Sequence, residues 1–266
     1  MTFRKLVSPF GCDMFCLGKK FLVFNLITRN LKTKYHRSAL GFFWTLASPL
    51  LMALVYYFAF KMVLKVSQPH FMAVLISGVI TWSFFAQTLV EGADSIVGSW
   101  GLLSKVPIPL QVFPFVGALT NLVTLLLALP VILGVAFLTD CQLGLSVFFI
   151  PIEYALLFVI TYSLSYFLSV LFVYFRDLKH VIGVVLQVWF YATPVIYVSH
   201  MVPEKYRWLV KFNPVAPVFM DLQNILIHGA WPEPSSVALS LAWASVFFLG
   251  VSFLSSKYFV EVVERI

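Results

Sequence analysis

The sequence has few charged residues. Only 11% of its 266 residues are Asp, Glu, Lys or Arg, whereas 61% are hydrophobic, and the mean hydropathy is +0.95. A soluble domain is usually about 25% charged. The 18 basic and 11 acidic side chains are too few to cover a water-exposed surface on a chain of this length. A soluble fold is therefore excluded, and lipid must cover most of the surface.

Motifs for metal binding, nucleophilic catalysis and ATP hydrolysis are also missing. Cys12, Cys16 and Cys141 form no CxxC pair, so we expect free structural thiols and no metal site. There is no HExxH motif, no Ser/His/Asp grouping and no GxxxxGK[ST] phosphate-binding loop. Any transport by this chain would therefore draw its energy from another chain or from an ion gradient.

Ionisable residues are rare inside the apolar stretches, which disfavours the ion gradient. Ion-coupled transporters usually carry such residues near the middle of the bilayer. Here Glu91 and Asp94 lie at one end of the second stretch, and Glu153 lies near the beginning of the fourth.

The first 20 residues are mixed polar and do not resemble a cleavable signal, which predicts a cytoplasmic N-terminus.

Six apolar stretches predict transmembrane helices, since a hydrocarbon core of about 30 Å needs about 20 apolar residues. The spans are residues 41–60, 71–90, a third within 106–139, 145–175, 181–199 and 234–256. Pro130 predicts a kink in the third. Residues 201–231 mix charged and apolar residues, which indicates short re-entrant helices or a surface loop. The expectation is one all-α transmembrane domain over residues 1–266.

The distribution of basic residues predicts the orientation. With the N-terminus in the cytoplasm, 13 Lys and Arg lie inside and five lie outside, in agreement with the positive-inside rule. The same rule explains the net charge of +7 without nucleic-acid binding. Residues 1–38 and 257–266 are then cytoplasmic, and residues 41–256 form the six-span bundle.

Ahead of the first span, residues 21–35 have the pattern of an amphipathic helix that lies in the membrane surface. We expect one face to be apolar: Phe24, Ile27, Leu31 and Tyr35. The opposite face is polar: Asn25, Arg29, Lys32 and His36. The helix is either a simple lipid anchor or a docking platform for a cytoplasmic partner.

Aromatic residues are abundant, at 17% of the chain, and many fall inside the spans. Rings with a polar tip can stack on sugars and donate hydrogen bonds, which suits a channel for a glycan. The candidate channel residues are Tyr56, Tyr57, Trp82, Phe85, Trp189, Tyr191 and Tyr197. Packing or contact with lipid is the alternative for each ring. A membrane-embedded glycan-modifying enzyme would instead use Asp221, His228 and Glu233.

Several stretches in order resemble one family of membrane proteins. Residues 29–51 (RNLKTKYHRSALGFFWTLASPLL), 102–114 (LLSKVPIPLQVFP), 174–197 and 212–217 (FNPVAP) are similar to type-2 ABC exporter permeases. The closest resemblance is to the transmembrane subunits that export O-antigen polysaccharide and teichoic acid. It covers essentially the whole chain.

The resemblance implies a homodimer of six-helix subunits in the bacterial inner membrane, bound to two copies of a separate ATPase. ATP and Mg²⁺ would bind to that ATPase, and this chain would bind no cofactor. The helix at 21–35 becomes a gate helix, with Arg29, Lys32, Lys34 and Arg37 in its region. The coupling residues implied are Gly98, Ser99, Trp100, Gly101, Leu102, Leu103, Ser104 and Lys105, braced by Arg176 and Asp177.

Two features of the sequence limit the possible substrates but do not identify a single one. Capsule-type relatives carry a Gly-Lys pair where this sequence has His36-Arg37-Ser38, which favours a lipid-linked O-antigen or teichoic acid. A drug or a small lipid is a further alternative. The short loop at 61–70 favours a glycan, because drug-type relatives often carry a large external domain there.

Overall fold

The computed structural model describes residues 17–35, 43–65, 68–103, 108–198 and 201–265. Within these ranges every regular element is a helix, which confirms the predicted all-α fold. The α-helices are α1 Leu17–Tyr35, α2 Phe43–Tyr57, α3 Phe71–Asp94, α4 Trp100–Leu103, α5 Val112–Leu138, α6 Ile150–Tyr174, α7 Leu178–Ala192, α8 Arg207–Lys211, α9 Ala216–His228 and α10 Pro234–Arg265.

Among the described residues, five helical stretches are long and apolar enough to cross a membrane. They are Leu46–Val63, Phe71–Asp94, Val112–Leu138, Leu145–Tyr174 and Pro234–Phe253. The first continues beyond α2 as a π-helical turn, Phe58–Val63, and the fourth begins with the 3₁₀ turn Leu145–Phe149. These stretches correspond to the first four predicted spans and the sixth.

The fifth predicted span, residues 181–199, is shorter in the structure. Its helix α7 ends at Ala192 after 15 residues and therefore covers about 22 Å of the bilayer. The next residue, Thr193, has an extended backbone. Proline disfavours the helical conformation of the residue before it, so Pro194 ends the helix at this point although the apolar run continues.

Helix α3 forms the centre of the bundle. In its apolar 18-residue stretch, 78% of the residues are buried. It packs against α2, α5, α6, α7 and α9. Two glycines allow this close packing. A Cβ at Gly78 would overlap the backbone carbonyl of Val195, and a Cβ at Gly92 would overlap the side chain of Ser165. Glycine therefore brings α3 into contact with the turn after α7 and with α6.

Helix α1 packs on the beginning of α5. Leu26 is buried against Val112, Phe113 and Val116, with Leu22, Val23 and Ile27 around it. The buried face is thus centred on Leu26. Phe24 of the predicted apolar face is 66% exposed, so its predicted contact with the membrane surface stays a prediction.

The bundle has two ends, which are named here by the short helices that they carry. The α4 end contains α4, the last turns of α3 and α6, and the first turns of α5 and α7. The α9 end contains α8, α9, the first turns of α3, α6 and α10, and the last turns of α5. At the α9 end, the ring of His70 bonds to the backbone oxygen of Thr139 at 2.7 Å, which joins α3 to α5.

Candidate functional site

Of the seven candidate channel rings, one is exposed, four are half-buried and two are buried. Tyr191 is 57% exposed on α7, and the hydroxyl of Tyr197 donates to its backbone oxygen at 3.1 Å. Tyr56 on α2 stacks on Phe190 with ring centroids 5.7 Å apart. Tyr57 is half-buried and contacts Phe71. The rings on α2 and α7 therefore lie on one side of the subunit.

Trp82 and Phe85 lie in the core of the subunit instead. Phe85 is 0% exposed and Trp82 is 8% exposed. The edge of Phe85 meets Trp189 at 5.2 Å, and Trp82 meets Phe190 at 5.6 Å. In this subunit the two rings pack against the buried side of α7 and do not form the surface of the subunit.

Large apolar side chains are exposed along both α2 and α7. On α7 they recur at helical spacing, at Val181, Val184, Val185 and Val188. On α2 the exposed residues include Phe43, Trp44, Leu51, Met52, Leu54 and Val55. Such a surface is stable only against lipid or another protein, so this side of the subunit faces one of the two.

An amide network, Asn213 with Gln223, holds the end of α7 in place. Asn213 accepts a hydrogen bond from Trp189 Nε1 at 3.0 Å and donates to the oxygens of Ala192 and Thr193. The Asn213 side chain also accepts from the backbone N–H of Val215 at 3.1 Å. Since Asn213 is only 5% exposed, these bonds fix the orientation of Trp189 relative to the α8–α9 segment.

Gln223 completes the same network from α9. Its Nε2 donates to the backbone oxygen of Pro194 at 2.7 Å and to that of Tyr197 at 3.1 Å. The turn that ends α7 thus has its carbonyls paired by two side chains of the following segment. Sequence analysis did not identify Asn213 or Gln223 as site residues. The Asn213-Pro214 pair inside the FNPVAP motif was the available signal.

At the α4 end, the two loops of the predicted coupling region lie close together. Residues Val97–Ser99 form a 3₁₀ turn that leads into α4. Trp100 is 41% exposed at its start. Arg176 and Asp177 are exposed in the turn between α6 and α7. Lys179 Nζ lies 3.7 Å from Asp94 Oδ2, which joins the beginning of α7 to the end of α3.

The gate-helix residues are only partly described. Arg29 and Lys32 are exposed on α1, and Lys34 lies in its last turn. Arg37, Ser104 and Lys105 lie outside the described residues, as do Cys12 and Cys16. Cys141 is a free thiol, as expected.

Of the residues predicted to cluster at the α9 end, Asp221 and Glu233 lie close together, since the backbone of Glu233 hydrogen-bonds to the Asp221 carboxylate. His228 and Glu233 are exposed, whereas Asp221 is 1% exposed. In the core, Asp221 also interacts with Glu153 on α6, which is 0% exposed. Burial raises the pKa of Asp221 to about 6, although the adjacent Ser236 hydroxyl acts to lower it. Among the described residues there is no group of three or more Cys, His, Asp or Glu side chains placed to hold a metal ion.

Comparisons with known proteins agree with this architecture. A protein-family model described as ABC-2 type transporter matches residues 22–227. The O-antigen export system permease protein RfbA of Klebsiella pneumoniae is 32% identical over 215 residues, which cover 80% of this chain and 83% of the relative. The protein of the same name from Myxococcus xanthus is 33% identical over 232 residues, or 84% of this chain and 89% of the relative.

The family match includes α3, α5, α6, α7 and α9, and therefore the whole amide network. Proteins of this kind form the membrane part of ABC transporters, in which a partner ATPase supplies the energy. The missing phosphate-binding loop agrees with that division of labour. The chain belongs to the ABC-2 type transporter family and is a multi-pass transport subunit, not an enzyme.

Proposed function

We propose that this chain is the permease subunit of an ATP-driven exporter that moves a lipid-linked polysaccharide of the O-antigen type across the bacterial inner membrane. The observation that carries the proposal is the similarity, over 80% or more of the chain, to permeases named for O-antigen export. The exposed ring of Tyr191 and the nearby Tyr197 support it, since such rings can stack on sugars and hydrogen-bond to them.

The proposed orientation places the α4 end in the cytoplasm. This end carries Arg176 and Lys179 and the basic helix α1, and the positive-inside rule favours the cytoplasm for such residues. Both chain termini are then cytoplasmic. The α9 end faces outwards, with α8 and α9 as short re-entrant helices between α7 and α10.

The proposed assembly is a homodimer with two ATPase copies. Helix α7 is too short to span the bilayer alone, and its valine side chains are exposed. A second copy that packs on the α2 and α7 side would cover this surface. The glycan channel would then run between α2 and α7 of the two copies, lined by Tyr56, Tyr57, Trp189, Tyr191 and Tyr197.

In the proposed mechanism, movement of the ATPase is transmitted to this chain at the α4 end. Residues 98–105 would fit into a groove of the ATPase, with Arg176 and Asp177 as a brace. ATP and Mg²⁺ would bind to the ATPase. Movement of α4 would pass to the beginning of α7 through the Asp94–Lys179 pair and would widen the channel.

The test is a gene deletion in the source bacterium, followed by measurement of surface polysaccharide and of lipid-linked glycan in the cytoplasmic leaflet. We expect surface glycan to fall and lipid-linked glycan to accumulate, with recovery on complementation. Composition analysis of the accumulated glycan distinguishes O-antigen from teichoic acid. Normal surface glycan in a strain without a second exporter would refute the proposal.

The aromatic channel is tested by Tyr191→Ala and Tyr197→Ala in the complementing gene. Both should lower export at least several-fold, with normal membrane levels of the protein. Phe137→Ala is the matched control, because Phe137 is also exposed, at 74%, but lies on α5 away from the α2 and α7 side. Equal loss with all three variants would argue against the channel position.

A further inference from the structure

The core at the α9 end contains carboxylate oxygens that have no protein partner. Glu153 lies in the first turn of α6 with its side chain 0% exposed, and neither Oε1 nor Oε2 has a hydrogen-bond partner among the described residues. Asp221 on α9 is 1% exposed, and its Oδ2 is likewise unpartnered within the described chain. Buried polar atoms are almost always hydrogen-bonded in proteins, so this pair needs an explanation.

The charges that act on the pair are acidic. Asp221 acts electrostatically on Glu153, and Glu233 acts on Asp221. One ion pair between described side chains, Lys179 with Asp94, lies at the other end of the bundle. A buried carboxylate is strongly unfavourable unless a cation or proton neutralises it. A positively charged ligand would therefore remove a cost that no basic side chain in the described ranges removes.

Buried hydroxyls lie on two further elements that pack against α6 and α9. Ser236 of α10 lies beside Asp221, and Ser240 follows one turn later on the same face, 0% exposed and unpartnered among the described residues. Ser146, also 0% exposed and without a partner there, lies in the 3₁₀ turn that leads into α6 and packs on α9. Glu153, Asp221, Ser240 and Ser146 thus offer five oxygens without a partner among the described residues, and the Ser236 hydroxyl lies beside Asp221.

We propose that Glu153 and Asp221, with Ser236, Ser240 and Ser146, form a binding site for a divalent cation of the Ca²⁺ class that joins α6, α9 and α10. All the donors are oxygens, which hard cations prefer, and two carboxylates balance a charge of two. Ca²⁺ accepts six to eight oxygens in flexible geometry, whereas Mg²⁺ keeps several of its waters, so a deeply buried site favours Ca²⁺.

The first experiment uses the full chain, purified in detergent without nucleotide and stripped with EDTA. Equilibrium dialysis with ⁴⁵Ca²⁺ should show about one ion bound per chain. Saturating Ca²⁺ should raise the melting temperature by about 3 °C or more, because a ligand that binds only the folded state stabilises it. Mg²⁺ at the same concentration should bind at least ten-fold more weakly.

Glu153→Gln and Asp221→Asn assign the binding to this site. Each should lower Ca²⁺ affinity at least ten-fold and abolish the rise in melting temperature. Asp140→Asn is the matched control, since Asp140 is an exposed carboxylate at the same end of the bundle and should leave Ca²⁺ binding unchanged. If one core variant does not fold, Ser240→Ala supplies a milder change that should weaken binding about two- to ten-fold.

Two outcomes would overturn the site. The first is the absence of stoichiometric Ca²⁺ binding by the wild-type chain, with a melting temperature that responds to acid alone, which would show that protons neutralise the pair. The second is wild-type Ca²⁺ affinity in both Glu153→Gln and Asp221→Asn. Neither outcome depends on the identity of the exported substrate, so the proposed export function is tested separately.

Discussion

Two residues of α9 that are separated by a single position in the sequence have opposite surroundings. Gln223 is 6% exposed, and its amide donates to two backbone oxygens of the turn after α7. Asp221 is 1% exposed, yet one of its oxygens has no partner in the described part of the chain, and the charged groups that interact with it, Glu153 and Glu233, are also acidic. The side of α9 that carries Gln223 is part of a complete network of hydrogen bonds. The side that carries Asp221 has an unpartnered carboxylate oxygen, which is the chemistry of the proposed cation site.

The amide network should therefore be costly to remove. Asn213→Leu leaves the N–H of Trp189, the N–H of Val215 and the oxygen of Ala192 unpaired inside the protein. We expect a loss of about 2–4 kcal/mol in the free energy of unfolding. Thermal unfolding in detergent measures it. Ser83→Ala is the control, because that hydroxyl bonds only to the oxygen of Val79 in its own helix. A loss no larger than in the control would mean that water replaces the network.

Gln223→Leu should have a smaller effect of the same sign. It leaves only the oxygens of Pro194 and Tyr197 without their side-chain donor, and carbonyls are less costly to leave unpaired than N–H groups. We expect a loss of about 1–3 kcal/mol. Proteolysis at the turn after α7 should also become faster than in wild type. Unchanged proteolysis together with unchanged stability would show that Asn213 alone holds the turn.

The sequence predicts the long helices well because a run of membrane length with at most one charge has few other stable structures. Helices α3, α5 and α6 follow directly from such runs. The length of α7 was overestimated because the hydropathy of residues 181–199 continues past Pro194, where the backbone cannot remain helical. Proline placement was the more reliable signal at this position.

The polar contacts were harder to predict, because they join residues that are distant in sequence. Glu153 was visible as a single charge in an apolar stretch, but its position opposite Asp221 depends on the packing of α6 against α9. Asn213 lies in a motif that pointed to the family, whereas its bond to Trp189 depends on how the chain turns after α7. Of the candidate channel rings, Phe85 is fully buried, since hydropathy does not distinguish a ring that faces α7 from one at the surface.

On the Asp221 side of α9, removal of a polar group should raise the free energy of unfolding, whereas removal of the amide network lowers it. Glu153→Met replaces a buried carboxyl that lacks a partner within the described chain with an apolar side chain of similar size. In EDTA we expect the free energy of unfolding to rise by up to about 2 kcal/mol. Calorimetry on the detergent-solubilised chain measures this change. A large loss of stability in EDTA would instead show that the carboxyl is already satisfied, and the contrast between the two sides of α9 would disappear.

The smallest stability effect is expected at the α4 end, where Asp94 and Lys179 are 44% and 53% exposed. An exposed ion pair contributes at most about 1 kcal/mol, so Lys179→Met should hardly change the melting temperature. If this pair passes movement from α4 to α7, however, export should fall while ATP hydrolysis by the complex continues. The double exchange Asp94→Lys with Lys179→Asp should restore part of the export, because it rebuilds the attraction with reversed signs. Normal export in Lys179→Met would show that the pair does not transmit the movement and that the coupling passes through other contacts.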